Sequence, residues 1–162
     1  MPSPDATSLI QKFSLTHRVI QMQTDGLTHA DSLLQPPFRG NCLNWVLGHI
    51  IEGRNNALLA LCAPPVWGEE NSSRYGPRSE PIVRDEQALP CERLMSDLAE
   101  SQQRIEAALS EMCAEALAAQ VDTGDGEMPL REHLAWLHWH ETYHVGQLEL
   151  LRQLAGKNDA VI

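Results

Sequence analysis

Apolar residues recur at helical spacing in four long stretches of the chain, and no stretch shows the period-two alternation of a strand. The first stretch begins at Ser3-Pro4, where serine can cap a helix and proline fits the first turn. Leu9, Phe13, Thr16 and Ile20 then share one face, and the helix should end near Gly26. A short helical turn over Thr28 to Leu34 is stopped by Pro36-Pro37. The second long helix is predicted to start at Asn41 as its N-cap. It carries Leu43, Leu47, Ile50, Leu58 and Leu61, and Ala63-Pro64-Pro65 ends it. The third runs from about Pro90 to Leu117, with Leu94, Leu98, Ile105, Leu109 and Met112 in period. After a turn at Asp122-Thr123-Gly124-Asp125-Gly126, the fourth opens at Pro129 and closes at Ala155-Gly156-Lys157, a glycine C-cap with a cation beside it. Leu130, Leu134, Leu137, Leu148, Leu151 and Leu154 form its stripe.

Four such helices predict an all-α, single-domain four-helix bundle spanning residues 1–162. Residues 63–89 read as a long loop between the second and third long helices. Its Trp67 and Tyr75 predict that it packs down on the bundle. Loops of this length are either variable surface connections or lids over a site. The long connections leave the up-down order of the helices open.

Charge narrows the partners. Twelve Lys+Arg stand against twenty-two Asp+Glu, a net charge of −10, and only Lys12 and Lys157 are lysines. That surface repels nucleic acid and anionic membranes. No apolar run approaches the ~18 residues of a membrane span. The start, Met1-Pro2-Ser3-Pro4-Asp5, lacks the basic and apolar regions of a secretory leader, so a cytoplasmic location is expected. Cys42, Cys62, Cys91 and Cys113 form no C-x-x-C pair and read as reduced thiols, mostly in helix cores. Cys42, two turns before His49, could also line a site.

Candidate chemistry lies in the histidines: four of the seven fall between His133 and His144. In His140-Glu141-Thr142-Tyr143-His144 the two histidines are four apart, on one helix face, and can converge on one metal ion. His133 falls near the same stripe two turns earlier; His138 faces elsewhere. The string also fits the HExxH of zinc proteases. Its continuation lacks their glycine and third histidine, and only eighteen residues follow His144, too few for a further ligand helix. In the second helix, Trp45-Val46-Leu47-Gly48-His49-Ile50 places a histidine in an apolar turn. A buried imidazole needs a partner: either a metal shared with His140 and His144, or a carbonyl or Glu52 in the core. Gly48 and Gly53, each costing about 1 kcal/mol against alanine inside a helix, point to a packing or site requirement around it. Trp45, Trp136 and Trp139 read as core or interface residues, and His17, His29, His133 and His138 as ordinary structural histidines.

Asn44-Trp45-Val46-Leu47-Gly48-His49 together with His140-Glu141-Thr142-Tyr143-His144-Val145-Gly146-Gln147-Leu148, followed by Arg152 and Gly156, resembles the DinB/YfiT-like superfamily. The likeness extends over nearly the whole chain. It implies a four-helix bundle holding a divalent metal (nickel, zinc or iron) through His49, His140 and His144, with Gln147 supporting a ligand or substrate. Three protein nitrogens leave a coordination position open, the catalytic pattern. The resemblance further implies activation of water or of a low-molecular-weight thiol cosubstrate, in a hydrolase or a transferase acting on a small molecule, and a homodimer. The arginine often found after the second histidine of the family is Val145 here, which removes an expected contact to an anionic group. Glu52, Glu141 and Tyr143 are the candidate proton-transfer residues. The alternative function is a non-catalytic metal- or small-molecule-binding stress-response protein of the same fold; a third reading is a structural helical dimer with fortuitous histidines.

Overall fold

The computed structural model describes residues 2–162; Met1, where a secretory leader would begin, lies outside them. Its elements in order are α1 (Pro4–Thr24), α2 (His29–Ser32), α3 (Leu43–Ala60), α4 (Glu69–Tyr75), a 3-10 turn (Asp85–Gln87), α5 (Cys91–Ser110), α6 (Ala114–Ala118), β1 (Gln120–Asp122), β2 (Glu127–Pro129) and α7 (Leu130–Leu154). The four long helices α1, α3, α5 and α7 form the bundle. Helix α7 packs on α1 and α3, and α5 packs on the same two, so α1 and α3 face each other across a diagonal. The links α1 to α3 and α5 to α7 therefore cross the bundle, which is why both are long. No helix among the described residues is long and apolar enough to cross a membrane.

The apolar stripes dictate this packing. Leu9, Phe13, Ile20, Leu43, Leu47, Ile50, Leu58, Leu94, Leu98, Ile105, Leu109, Leu134 and Leu148 are all buried. Ser3 caps α1 by accepting the Ala6 N–H, as its position predicts. Helix α7 ends as expected at Gly156, whose φ of +80° suits a residue without Cβ. The Gly156 N–H bonds Gln153 O and the Lys157 N–H bonds Arg152 O, the paired C-terminal bonds of a Schellman motif.

Several boundaries differ from the sequence reading. Cys42, not Asn41, occupies the N-cap of α3, and its side chain makes no capping bond. The third long helix stops at Ser110, and a separate short helix, capped by Cys113, precedes a two-stranded hairpin. Three-residue strands are too short to show alternation. Leu154 is partly exposed, one turn beyond the last packed leucine. Two of the four cysteines are buried; Cys62 and Cys113 are exposed. Cys42 packs in the core, its thiol donating to Ile82 O.

The segment 63–89 is not a plain loop. It contains α4, and three side chains bind it to the bundle. Asn55 accepts the Val66 and Trp67 N–H groups. The Trp67 indole donates to Asp97. Tyr75, fully buried, accepts the Leu89 N–H and donates to Asn44 through its hydroxyl.

Candidate metal centre

Three imidazoles from two neighbouring helices meet within this core. His49 comes from α3; His140 and His144 come from successive turns of α7. One nitrogen of each lies within 4.8 Å of one nitrogen of each of the others. The rings stand nearly perpendicular to one another, at 77–84°. His49 and His144 are buried and His140 is half-buried.

Hydrogen bonding fixes which nitrogen is offered. His49 Nδ1 is 2.7 Å from the carbonyl oxygen of Tyr75, which can only accept, so Nδ1 carries the proton and Nε2 keeps its lone pair. His144 Nδ1 is 3.0 Å from Gln147 Oε1 and is oriented the same way by an amide oxygen. His144 Nε2 then points at His140 Nε2, 3.2 Å away. Outer partners that hold a ring by its far nitrogen are the usual support of a metal ligand.

The glycine beside His49 now has a reason. A Cβ on Gly48 would lie 2.1 Å from Cδ1 of the Tyr75 ring. Only glycine lets Tyr75 sit flat against α3, and that seat brings the Tyr75 carbonyl to His49. Gly53 differs: a Cβ there would meet nothing within 4 Å. Aromatic rings flank the histidines. Trp45 stacks on His49 at 4.6 Å between centroids, Trp136 lies parallel to His140 at 5.7 Å, and Tyr143 meets His144 edge-on at 5.2 Å.

Burial keeps these histidines uncharged. It pushes His49 down to about 4; the Tyr75 hydrogen bond opposes this, and the neighbouring histidines reinforce it. His140 and His144 are lowered chiefly by burial as well. Three neutral imidazoles with lone pairs converging suit a borderline divalent cation such as zinc or nickel, and no carboxylate or thiolate among the described residues joins them.

The remaining expected residues are placed as follows. Gln147 sits against His144, at the hydrogen bond to its Nδ1. Tyr143 borders the site but is largely exposed. Glu52 faces a neighbouring cavity between α3 and α4, beside Trp67 and Ser72. One of its oxygens accepts from Asn56, the other is buried without a partner, and burial raises its pKa. Glu141 corrects the sequence reading. It is buried and turned towards α1 and α3, where Arg54 grips both carboxylate oxygens at 2.9 and 2.8 Å and the Thr16 hydroxyl adds a third bond. Those bonds make it a tie between helices and leave it no free oxygen for proton exchange. Trp136 and Trp139 are exposed, not core. His138 packs edge-on against Phe13, and His29 bonds Asp85 and the Cys91 N–H. Sequence reasoning missed Tyr75 and Arg54. A charged residue in the apolar face of α3 was a readable signal for Arg54; a backbone carbonyl leaves none for Tyr75.

A solved structure similar to this chain is that of a conserved protein from Enterococcus faecalis. The two share the fold with a TM-score of 0.73 at 16% identity, over 96% of this chain and 98% of that one. No curated protein matches the chain by sequence. The family model of the DinB superfamily matches residues 12–148, most of the bundle and all three histidines, and the chain belongs to that superfamily.

Proposed function

We propose that the protein is a metal-dependent enzyme in which His49, His140 and His144 hold a divalent cation, nickel, zinc or iron. The supporting observation is the pair of imidazoles, His49 and His144, each bound through Nδ1 to a protein oxygen so that its other nitrogen is turned to the common centre. A cation bound there by three nitrogens supplies Lewis acidity, lowering the pKa of a water or a low-molecular-weight thiol so that it attacks a small electrophile. The chain's own groups do the rest. Tyr75 and Gln147 orient the imidazoles. Trp45 and Tyr143 wall the site and restrict water. Glu52, with one oxygen lacking a partner, is the carboxylate best able to take up a proton, and Tyr143 is a second candidate. Glu141 positions α7 through Arg54. The exposed face of α7 that carries Trp136, Trp139, Tyr143 and Leu150 supports a homodimer, which sedimentation or elution from a calibrated column would read directly.

The reaction is tested by rates with saturating thiols and model electrophiles, with and without added metal. Metal-dependent turnover in the wild type, lost in His144→Ala, is expected; equal rates in the two would end the enzymatic reading. A second reading, a metal- or small-molecule-binding protein without turnover, is favoured by the carboxylates. Glu141 is fully engaged, and Glu52 faces the adjoining cavity. Stoichiometric metal with no turnover across that screen would support it.

A further inference from the structure

One turn beyond the histidines towards the start of α7, a cavity of about 510 Å³ opens between α3, the hairpin and α7. Trp136 belongs to both places: it lines this cavity and lies parallel to the His140 ring. His133, also on the wall, precedes His140 by seven residues, about 10 Å along a helix. On α3 the route between the two is equally short. Gly53 follows His49 by one turn and precedes Asn56, a further wall residue, by three positions. The space over Gly53 is open.

The wall is selective in charge. It contains Asp122 and no lysine or arginine. The hairpin that supplies Asp122, residues 120–129, also carries Asp125 and Glu127 and no basic residue. Asp122 is set by the turn, one of its oxygens accepting the Gly124 N–H at 2.9 Å. Asn56 donates to Glu52, so a second carboxylate stands behind the wall. Burial lowers the pKa of His133, which keeps that ring uncharged. An indole face and a carboxylate both attract cations, and no group on this wall would neutralise an anion.

We propose that this cavity is a subsite for a cationic, ammonium-bearing part of the substrate, held by Trp136 and Asp122, with the reacting part about 10 Å away at the three histidines. The placement of the reacting part rests on the metal-dependent function proposed above; recognition of the cation does not.

The test uses metal-free and metal-loaded full-length protein and three probes of nearly one shape: choline, neutral 3,3-dimethylbutan-1-ol and anionic 3,3-dimethylbutanoate. The quaternary nitrogen of choline has no lone pair to offer a metal. Binding is read by NMR shifts of the indole N–H of Trp136, assigned with Trp136→Phe. Choline should bind at least about tenfold more tightly than the alcohol, and the carboxylate should not saturate. Asp122→Asn and Trp136→Ala, both checked for retained helicity, should each weaken choline at least about threefold. Equal binding of choline and the alcohol, or full choline affinity in both variants, would overturn the subsite. A protein that holds metal but fails this discrimination loses the subsite alone. One that discriminates but never holds metal keeps the subsite and loses the proposed function.

Discussion

Replacing Gly48 with alanine should be far more damaging than the added methyl suggests. A Cβ at that position lies 2.1, 2.4 and 2.5 Å from three carbons of the Tyr75 ring. Carbon atoms in contact settle at about 3.5–4.0 Å, so the ring must retreat by more than about 1 Å. It cannot do so cheaply. Tyr75 is fully buried, its hydroxyl joins Asn44 to the Leu89 N–H, and its carbonyl holds His49. Displacing a buried aromatic side chain costs about 3–5 kcal/mol, against about 1 kcal/mol gained from alanine's better helix propensity. The net loss should be about 2–4 kcal/mol. Gly53→Ala is the internal control: same helix, same substitution, nothing within 4 Å of the new methyl. It should gain up to about 1 kcal/mol. Urea unfolding of the two variants beside the wild type reads both signs. Competition with a chelating dye should show zinc affinity reduced about 10–100-fold in Gly48→Ala, as when an orienting partner is lost. If Gly48→Ala is as stable as Gly53→Ala and binds zinc normally, Tyr75 does not orient His49.

Other variants probe the frame around the site. Arg54→Met leaves the buried Glu141 carboxylate without its partner and should cost about 3–5 kcal/mol in urea unfolding; Arg54→Met with Glu141→Leu should recover most of that. Gln147→Ala should lower zinc affinity about tenfold or more by the same dye competition, with the unfolding midpoint unchanged. Gly156→Ala should cost about 1 kcal/mol, because its φ is left-handed, whereas Cys62→Gly should gain about 1 kcal/mol for the same reason reversed: Cys62 closes α3 at φ +55°. Equal melting shifts of the same sign for that last pair would contradict the backbone argument.

The legible parts of the molecule are those with a periodic cause. Leu9, Phe13 and Ile20, or Leu94, Leu98 and Ile105, announce a buried helix face by spacing alone, and His140 and His144 share a face for the same reason. The proximity of His49 to them is expected from its apolar turn and from the family likeness, not from any spacing. What spacing cannot convey is long-range geometry. The hairpin has strands too short for a pattern. The helix Glu69–Tyr75 holds to the bundle through Trp67 and Tyr75, yet its own residues, Glu69 to Arg74, are polar. Glu141 reads as a surface carboxylate until Arg54, 87 positions away, is seen to meet it. Gly48 stands out in the sequence as a glycine that needs a reason; the reason, Tyr75, lies in the segment with the least regular pattern.

The most direct measurement is metal content by elemental analysis of untagged protein, wild type beside His49→Ala, His140→Ala and His144→Ala, with helicity checked by circular dichroism. About one divalent metal per chain in the wild type, lost in each variant while helicity is kept, is the expected result. Wild-type protein that holds no metal after incubation with nickel and with zinc would show the three histidines to be packing residues and remove the basis for metal-dependent chemistry.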